Sequence, residues 1–324
     1  MKPLHRKKLI ELLQSDDAAF APVFEEAGAV CKEHFGDMVK IRALLEFSNI
    51  CRRQCIYCGL NCKNSKPLRF RLEPDEIVST ALEAADSGYQ TIVLQSGEDP
   101  HFTPELLGDI VRRIKSACPN VAVTLSCGEF PAEAYRYFKS CGADRYLLKH
   151  ETSDPHLYQT LHPDSCLAER LRCQRDIKAA GLEAGGGFMI GLPGQSIQTI
   201  ADDLLTLQSI PCDMAGIGPF LPHPDTPLGD APHGSAMLTL RAVALARLLL
   251  PRANLPVTTA LGVLDRTLAD QVYSCGGNVV MRKVTPLRLR KLYQIYPAEF
   301  EETTISEGRR QIEQQILQLG KIPI

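Results

Sequence analysis

The chain has 324 residues, of which 44% are hydrophobic and 23% are charged, and this composition excludes a disordered or fibrous protein. Its formal net charge of -2 and pI of about 6.5 give no electrostatic case for binding nucleic acid or an anionic membrane. No apolar run approaches the roughly 18 residues of a membrane span, and no secretion signal follows the basic N-terminus. We therefore expect a globular, cytoplasmic protein.

The N-terminal residues are predicted to form a helical extension. Apolar residues between Leu9 and Leu13 form one stripe on a first helix, and Ser15 with the two aspartates after it caps a second, alanine-rich helix. A final helix is predicted over 307–319. The predicted domains are an N-terminal helical extension over 1–37, the main domain over 38–300 and a C-terminal helical tail over 301–324.

Between these ends, short apolar runs alternate with segments of helical period. The predicted strands are 39–47, 91–95, 121–125, 145–148, 183–190, 214–217, 257–260 and 279–281. The predicted helices are 74–87, 103–117, 131–140, 165–180, 196–208, 236–250 and 265–274. Strands separated by helices predict an α/β fold with a parallel sheet closed into a (β/α)8 TIM barrel. An open, doubly wound sheet is the alternative, and the absence of a GxGxxG segment after the first strand counts against its dinucleotide-binding form.

Three of the twelve cysteines follow the first predicted strand directly, in the motif Cys51-Arg-Arg-Gln-Cys55-Ile-Tyr-Cys58. In a barrel this position is the C-terminal rim, where active sites lie. Three thiolates so close together can each bind one iron of a [4Fe–4S] cluster, which leaves the fourth iron without a protein ligand. An open coordination position is typical of a reactive site, whereas four protein ligands are typical of a structural or electron-transferring one.

Other interpretations of this loop stay open at the level of the residues. Cys62 could supply a fourth ligand to a zinc knuckle or to a ferredoxin-type cluster. Three unrelated core cysteines are a further alternative, although buried thiols favour apolar surroundings and this loop contains Arg52 and Arg53.

The CxxxCxxC motif with an aromatic residue before its last cysteine resembles the signature of radical S-adenosylmethionine (SAM) enzymes. Segments along nearly the whole chain resemble the HydE family of [FeFe]-hydrogenase maturases. They are IRALLEFSN from residue 41, CRRQCIYCGL from 51, QSGED from 95, DRYLLKHE from 144, GLPGQ from 191, GIGPFLPHPDTPL from 216, TTALG from 258 and LYQIYP from 292. Biotin synthase and methylornithine synthase are similar but more distant.

The resemblance implies one [4Fe–4S] cluster, held by Cys51, Cys55 and Cys58 as the metal ligands and catalytic residues, with SAM bound to the fourth iron. The segment 96–98 resembles the GGE motif of the family, which would accept hydrogen bonds from the SAM amino group. The residues that the resemblance assigns to SAM are Tyr57, Ser96, Gly97, Glu98, Ser126, Arg145, Lys149, Glu151, Arg170, Ile190 and Leu192.

Charged side chains on the fourth predicted strand are expected at the SAM site. Arg145, Lys149 and Glu151 share one face of a strand, because side chains alternate along it. By resemblance, Arg145 and Arg170 would pair with the SAM carboxylate, which suits a planar guanidinium, and Glu151 would bind a ribose hydroxyl. An internal network of ion pairs is the alternative role for each of these residues.

Glycines are expected to shape the adenine site. The segments 185–187 and 190–194 would let a flat ring pack against bare backbone, although an ordinary turn is the alternative. By resemblance, Tyr57 would add contacts to the adenine through its backbone.

A polar cavity is expected inside the barrel, where Val, Ile and Leu usually fill the space. By resemblance, its ligand would be an organometallic iron complex bearing CO, cyanide and cysteine, a precursor in assembly of the hydrogenase H-cluster. Arg42 and the two threonines at 258 and 259 could donate to anionic or cyanide ligands, although each threonine or methionine could equally fill the core. The residues assigned to this cavity are Arg42, Gln95, Thr124, Met214, Thr258, Thr259, Met281 and Tyr296.

The predicted reaction is reductive cleavage of SAM to a 5′-deoxyadenosyl radical, which then attacks the substrate. The expected partners are the small substrate, a reducing donor such as ferredoxin or flavodoxin, and the other hydrogenase maturases. Two alternatives remain. One is a HydE-like enzyme that acts on an organic substrate, such as a mutase similar to methylornithine synthase. The other is an iron–sulfur scaffold or electron-transfer protein without catalysis.

The sequence also departs from the family pattern. Some HydE proteins carry a C-terminal cysteine triplet for a second cluster, but here no cysteine follows Cys275. Lys149 stands where the family usually has arginine. Asn61 and Cys62 follow the CGL segment where arginines are usual, and Met281-Arg-Lys-Val284 replaces a Met-Pro-Asn stretch. These departures leave room for a different substrate.

Overall fold

The computed structural model describes residues 4–299 and 302–324, and a parallel sheet of eight strands dominates them. The strands are β1 (Met38–Ser48), β2 (Thr91–Ser96), β3 (Ala122–Ser126), β4 (Arg145–Leu147), β5 (Glu183–Ile190), β6 (Met214–Pro219), β7 (Pro256–Val257) and β8 (Val279–Lys283). Their order is β6-β5-β4-β3-β2-β1-β8-β7. A bridge between Met214 and Asn254 brings β7 back towards β6, so the barrel is nearly closed. The predicted (β/α)8 barrel is confirmed, and the open sheet is excluded.

Helices surround this sheet and follow most strands. They are α1 (Arg6–Gln14), α2 (Asp17–Phe35), α3 (Pro74–Asp86), α4 (Pro104–Ala117), α5 (Ala132–Ser140), α6 (Pro155–Leu161), α7 (Leu167–Ala179), α8 (Ile197–Ser209), α9 (Ala236–Leu249), α10 (Thr259–Leu264), α11 (Arg266–Gln271), α12 (Leu287–Arg290) and α13 (Ile305–Gln318). Side-chain oxygens of Thr103, Ser196 and Ser235 cap three of them by accepting backbone N–H groups of the first turn. No helix of the described ranges is both long and apolar enough to cross a bilayer.

The predicted strand over 257–260 is wrong beyond its first residue. Strand β7 ends at Val257, and helix α10 begins at Thr259. The N–H groups of Leu261 and Gly262 both donate to the Thr258 carbonyl, which starts a helical turn. The β-branched threonines favour a strand in sequence, but the alanine and leucine after them are strong helix formers.

The N-terminal helices lie on the flank of the barrel, against α8 and α9. Arg6 Nε donates to Asp202 Oδ1 at 2.6 Å, which joins α1 to α8. Arg241 Nη2 donates to Asp17 Oδ1 at 2.6 Å, which joins α9 to α2. Apolar residues of both N-terminal helices are buried in the same cluster as those of α8 and α9. Burial of these apolar faces therefore attaches the extension to the barrel.

The C-terminus returns to the base of the first strand. Strand β9 (Ile322–Pro323) pairs with the beginning of β1 in parallel. The Ile324 N–H donates to the Val39 carbonyl at 2.9 Å, and the Ile41 N–H donates to the Ile324 carbonyl at 2.8 Å. Adjacent residues of a strand bond to opposite edges, and the Lys40 N–H donates to the Asn278 carbonyl whereas the Ile41 N–H donates to Ile324. Strand β1 therefore has β8 along one edge, and β9 followed by β2 along the other. The predicted domain boundary between 300 and 301 lies outside the described residues.

A buried arginine holds the loops at the base of the barrel together. The side chain of Arg247 on α9 is 0% exposed. Its guanidinium donates to the carbonyls of Gly276, Pro251 and Ala253 at 2.8, 2.9 and 2.8 Å, and to Asn278 Oδ1 at 3.1 Å. Burial lowers its pKa to about 10. Arg247 thus satisfies carbonyls that otherwise would lack partners.

Candidate active site at the cysteine rim

The cysteine loop begins two residues after the end of β1, at the C-terminal rim of the barrel. Cys51, Cys55 and Cys58 are half-buried and line a single cavity of about 340 Å³. The Cys58 N–H donates to the Cys55 carbonyl at 3.3 Å, which turns the loop so that these side chains share the cavity. Cys62 is exposed and does not line this cavity.

A glycine lets β2 come very close to the cysteine loop. A Cβ atom at Gly97 would lie 2.2 Å from the Ile50 carbonyl oxygen and 2.8 Å from Cys51 Cβ. The Gly97 N–H donates to the Ser48 carbonyl at 2.9 Å, and the Glu98 N–H donates to Cys51 Sγ at 3.4 Å. The loop can take this position only because residue 97 has no side chain.

We expect Gly97→Ala to lower the iron content of the reconstituted protein several-fold, because the new methyl group must push the cysteine loop away from β2. Iron and sulfide per chain, measured after anaerobic reconstitution, check this prediction. Gly262→Ala is the matched control, since no heavy atom lies within 4 Å of the Cβ position there. Equal iron contents in the two variants would contradict it.

A network of ion pairs, in which Arg52 is exposed and its partner Glu98 is buried, fixes the loop from its other side. Arg52 Nη2 lies 2.5 Å from Glu98 Oε1, and Arg53 Nε donates to Glu98 Oε2 at 2.9 Å. Arg53 Nη2 lies 2.5 Å from Glu129 Oε2, and Arg170 Nε lies 2.8 Å from Glu129 Oε1. The two arginines of the cysteine motif therefore tie the loop to the segments after β2 and β3 and to α7.

The chemistry of the three thiols fits an iron–sulfur cluster. Burial raises the pKa of Cys51, raises that of Cys55 well above its usual value, and raises that of Cys58 to about 12. Thiolates in such a place need a metal to stabilise them, and a coordinated thiol is deprotonated outright. Among residues 4–299 and 302–324, no three potential ligands converge as a single metal ion would require. Three half-buried thiols that line one cavity are the kind of donor set that holds a [4Fe–4S] cluster.

A second, deeper cavity of about 170 Å³ lies inside the barrel and adjoins the rim cavity. The residues that line both are Gln95, Leu147, Lys149, Thr258, Tyr293, Ile295 and Tyr296. The hydroxyl of Thr258 is buried and has no hydrogen-bond partner among the described residues. An orphaned buried donor at the junction of two cavities indicates a polar ligand there.

Comparison with known proteins identifies the family. The model of the radical SAM superfamily matches residues 45–207. The chain belongs to the radical SAM superfamily. It is 48% identical over 303 residues to the [FeFe] hydrogenase maturase subunit HydE of Thermotoga maritima, covering 92% of this chain and 86% of that protein. Membership implies an enzyme that uses a [4Fe–4S] cluster and SAM, and therefore a small substrate and an electron donor. The alternative of a non-catalytic scaffold is set aside.

Two solved structures share the radical SAM barrel fold. The crystal structure of methylornithine synthase superposes with a TM-score of 0.83 at 23% identity, and the alignment covers 99% of this chain and 94% of that one. The maturase HydG from Carboxydothermus hydrogenoformans gives a TM-score of 0.86 at 21% identity, with coverage of 99% and 76%. At these identities the similarity shows the fold alone.

Most residues that the sequence assigned to SAM line the rim cavity together. They are Tyr57, Ser96, Gly97, Glu98, Ser126, Lys149, Glu151 and Arg170. Lys149 Nζ lies 3.1 Å from Glu151 Oε2. The carboxylate of Glu98 is already bound by Arg52 and Arg53, so its contribution here is to hold the cysteine loop.

Three predicted SAM residues lie elsewhere in this radical SAM barrel. Arg145 is at the N-terminal end of β4, where its Nε lies 2.5 Å from Glu183 Oε2, and it does not line the rim cavity. The alternation of side chains along a strand correctly predicts that Arg145 and Lys149 share one face of β4. Arg145 nevertheless lies four residues before Lys149, and therefore towards the opposite end of the barrel. Ile190 and Leu192 are 0% and 2% exposed and belong to apolar clusters instead.

Two predicted substrate residues lie outside the deeper cavity, although the others line it. The residues on its wall are Gln95, Met214, Thr258, Thr259, Met281 and Tyr296. Arg42 is 1% exposed and lies behind Met214, with its Nη1 donating to the sulfur at 2.8 Å. Thr124 is 0% exposed. Both side chains are therefore buried and away from the surface of the cavity.

Several residues that line these cavities carry no signal in the sequence. His162 lines the rim cavity, and its Nε2 is 2.9 Å from the Tyr57 hydroxyl. Burial lowers the pKa of His162 to about 4, so its ring is neutral near pH 7. It follows α6, a helix of seven residues without a predicted pattern. Glu46 and Lys283 form an ion pair on the wall of the deeper cavity, and 237 positions of sequence separate them.

Proposed function

We propose that this radical SAM enzyme is a HydE-type maturase, which acts on an organometallic Fe(CO)(CN)cysteine precursor of the [FeFe]-hydrogenase H-cluster. Its 48% identity to the Thermotoga HydE over 92% of the chain carries the proposal. The two adjoining cavities support it, because they provide a rim site for SAM and a deeper site for a small substrate. A ferredoxin or flavodoxin would supply electrons, and the other maturases would share the pathway.

In this proposal Cys51, Cys55 and Cys58 hold one [4Fe–4S] cluster and leave one iron for SAM. When bound and reduced, the cluster supplies the electron that cleaves SAM to methionine and a 5′-deoxyadenosyl radical. Arg170, which Glu129 and the Tyr158 hydroxyl fix in place, binds the SAM carboxylate by charge-assisted hydrogen bonds.

The backbone conformation of Glu151 supports a ligand-binding role for its side chain. Among the described residues, Glu151 is the one residue other than glycine that has a positive φ, with a value of 65°. The Glu151 N–H donates to the Gly187 carbonyl at 3.1 Å, and its own carbonyl accepts from Met189 at 3.0 Å. Such strain is often found at ligand sites, and here it holds the carboxylate at the rim cavity, where it would bind a ribose hydroxyl.

The walls of the two cavities would keep the substrate next to the SAM site. Gln95, Thr258 and Tyr296 line both cavities and therefore lie between the two ligands. The Gln95 amide donates to the Tyr293 hydroxyl at 3.3 Å, which holds it in place. Exclusion of water by these side chains protects a reactive radical from side reactions.

The proposal predicts that the anaerobically reconstituted, dithionite-reduced protein releases 5′-deoxyadenosine from SAM. It should also restore hydrogenase activity when it is added to apo-hydrogenase with the other maturases but without HydE. The Thermotoga HydE serves as the positive control. Release of 5′-deoxyadenosine without maturation of the hydrogenase would overturn the proposed substrate assignment. No release from protein with a verified cluster would overturn the proposed reaction.

An organic substrate is the second candidate function. Methylornithine synthase shares the fold over 94% of its own chain, and its name shows that a barrel of this fold can serve the synthesis of an amino acid. Lys149 and Lys283 also place two ammonium groups on the wall of the deeper cavity, where an amino-acid carboxylate could bind. Release of 5′-deoxyadenosine that only a free amino acid stimulates would favour this candidate.

A further inference from the structure

Two lysines line the deeper cavity. They are Lys149, which follows β4, and Lys283, which ends β8. Each ammonium group faces a carboxylate. Lys283 Nζ lies 2.9 Å from Glu46 Oε1, and Lys149 Nζ lies 3.1 Å from Glu151 Oε2.

The pair of Glu46 and Lys283 faces a space with largely apolar walls. The apolar residues around it include Leu44, Leu147, Met214, Val257 and Met281. The Glu46 side chain is 3% exposed, and its carboxylate also accepts from the Thr285 hydroxyl at 3.3 Å. An ion pair removed from water at an apolar surface is costly, so a polar ligand that faces both charges would stabilise it.

The two charges restrict the kind of ligand that this wall can bind. A simple anion would be attracted by Lys283 but repelled by Glu46. A simple cation would be attracted by Glu46 but repelled by Lys283. A group with an ammonium and a carboxylate on one carbon matches both partners at once. The apolar remainder of the cavity suits a short aliphatic or thioether side chain.

We propose that Glu46 and Lys283 form a recognition site for the α-amino and α-carboxylate groups of an amino-acid moiety in the substrate. This inference rests on the proposed function in taking the deeper cavity as the substrate cavity. Glu46 binds the ammonium group and Lys283 binds the carboxylate. The rest of the substrate then extends towards Gln95 and Thr258, which also line the rim cavity.

Equilibrium dialysis against reconstituted full-length protein with saturating SAM tests this site. The probes share a propyl group and the carbon next to it, and they differ in the charged groups on that carbon: L-norvaline carries both groups, pentanoate only the carboxylate and butylamine only the ammonium. We expect L-norvaline to bind about tenfold more tightly than either of the others, since each lost contact is a hydrogen bond to a charged group.

Variants assign that preference to the two residues. Lys283→Met and Glu46→Gln should each weaken L-norvaline binding about tenfold, whereas Lys283→Arg should retain it within about threefold. Lys178→Met is the matched control, because Lys178 Nζ pairs with Asp213 at 2.7 Å and lines neither cavity. Circular dichroism confirms that each variant is folded. Equal binding of L-norvaline and pentanoate, or undiminished binding to folded Lys283→Met, would overturn the proposal.

Measurement of 5′-deoxyadenosine after dithionite is added to the same samples separates this proposal from the proposed function. SAM cleavage without any preference for L-norvaline overturns the recognition site alone. A clear preference in protein that holds its cluster but never cleaves SAM overturns the proposed reaction and leaves the recognition site standing.

Discussion

Cys55→Ser should reduce 5′-deoxyadenosine release below detection, and the same result is expected for Cys51→Ser and Cys58→Ser. The three thiols line one buried cavity, and a serine hydroxyl is a far poorer ligand for iron than a thiolate. Iron and sulfide per chain, the EPR spectrum after reduction and product release by chromatography are the measurements. We expect the cluster signal and the activity to disappear together.

Cys62→Ser is the matched control for these variants. Cys62 lies in the same loop but is exposed and outside the cavity. The cluster content and the SAM cleavage of the variant should therefore stay within about twofold of the parent protein. Loss of the cluster in this variant would instead indicate a fourth protein ligand. The iron would then have no open position for SAM, and the proposed reaction would fail.

Arg247→Ala should lower the free energy of unfolding by roughly 4 kcal/mol or more, because its acceptors at the base of the barrel, among them three carbonyls and the Asn278 side chain, lose their donor. The guanidinium also stacks on Phe35, with 4.9 Å between its central carbon and the ring centroid, so α2 loses a contact as well. Urea denaturation followed by circular dichroism measures the change.

Arg252→Ala provides the comparison, since Arg252 is exposed and lies only five residues further along the chain. Its free energy of unfolding should stay within about 0.5 kcal/mol of the parent protein. If both arginine variants unfold at the same urea concentration, the role assigned to Arg247 is wrong.

The barrel and the cysteine loop could be predicted from local sequence. Apolar runs of strand length, helical periods and capping residues are local signals, and most elements of the barrel carry them. The spacing of Cys51, Cys55 and Cys58 within eight residues is local as well. The error at 257–260 is also local, because short segments of threonine and apolar residues suit a strand and a helix almost equally.

The long-range pairs could not be predicted in the same way. Lys283 meets Glu46 because β8 lies beside β1 with Lys283 next to Leu44, and register of this kind depends on the closed sheet. Arg247 stands in an alanine- and leucine-rich helix, where an arginine usually marks the exposed face. Arg145 illustrates the same limit. Local sequence predicts which face of a strand a side chain occupies, but not how far along the barrel axis that side chain lies.

The hydrogen bonding of β1 has a consequence for how the protein acquires its iron. This strand leads into the cysteine loop, yet its hydrogen bonds are completed only by residues 279–283 on one edge and by residues 322–324 at the start of the other. Some 270 further residues must therefore be synthesised after the cysteine loop before β1 has all of these partners. We accordingly expect iron and sulfide to enter this loop only after these late strands have paired with β1.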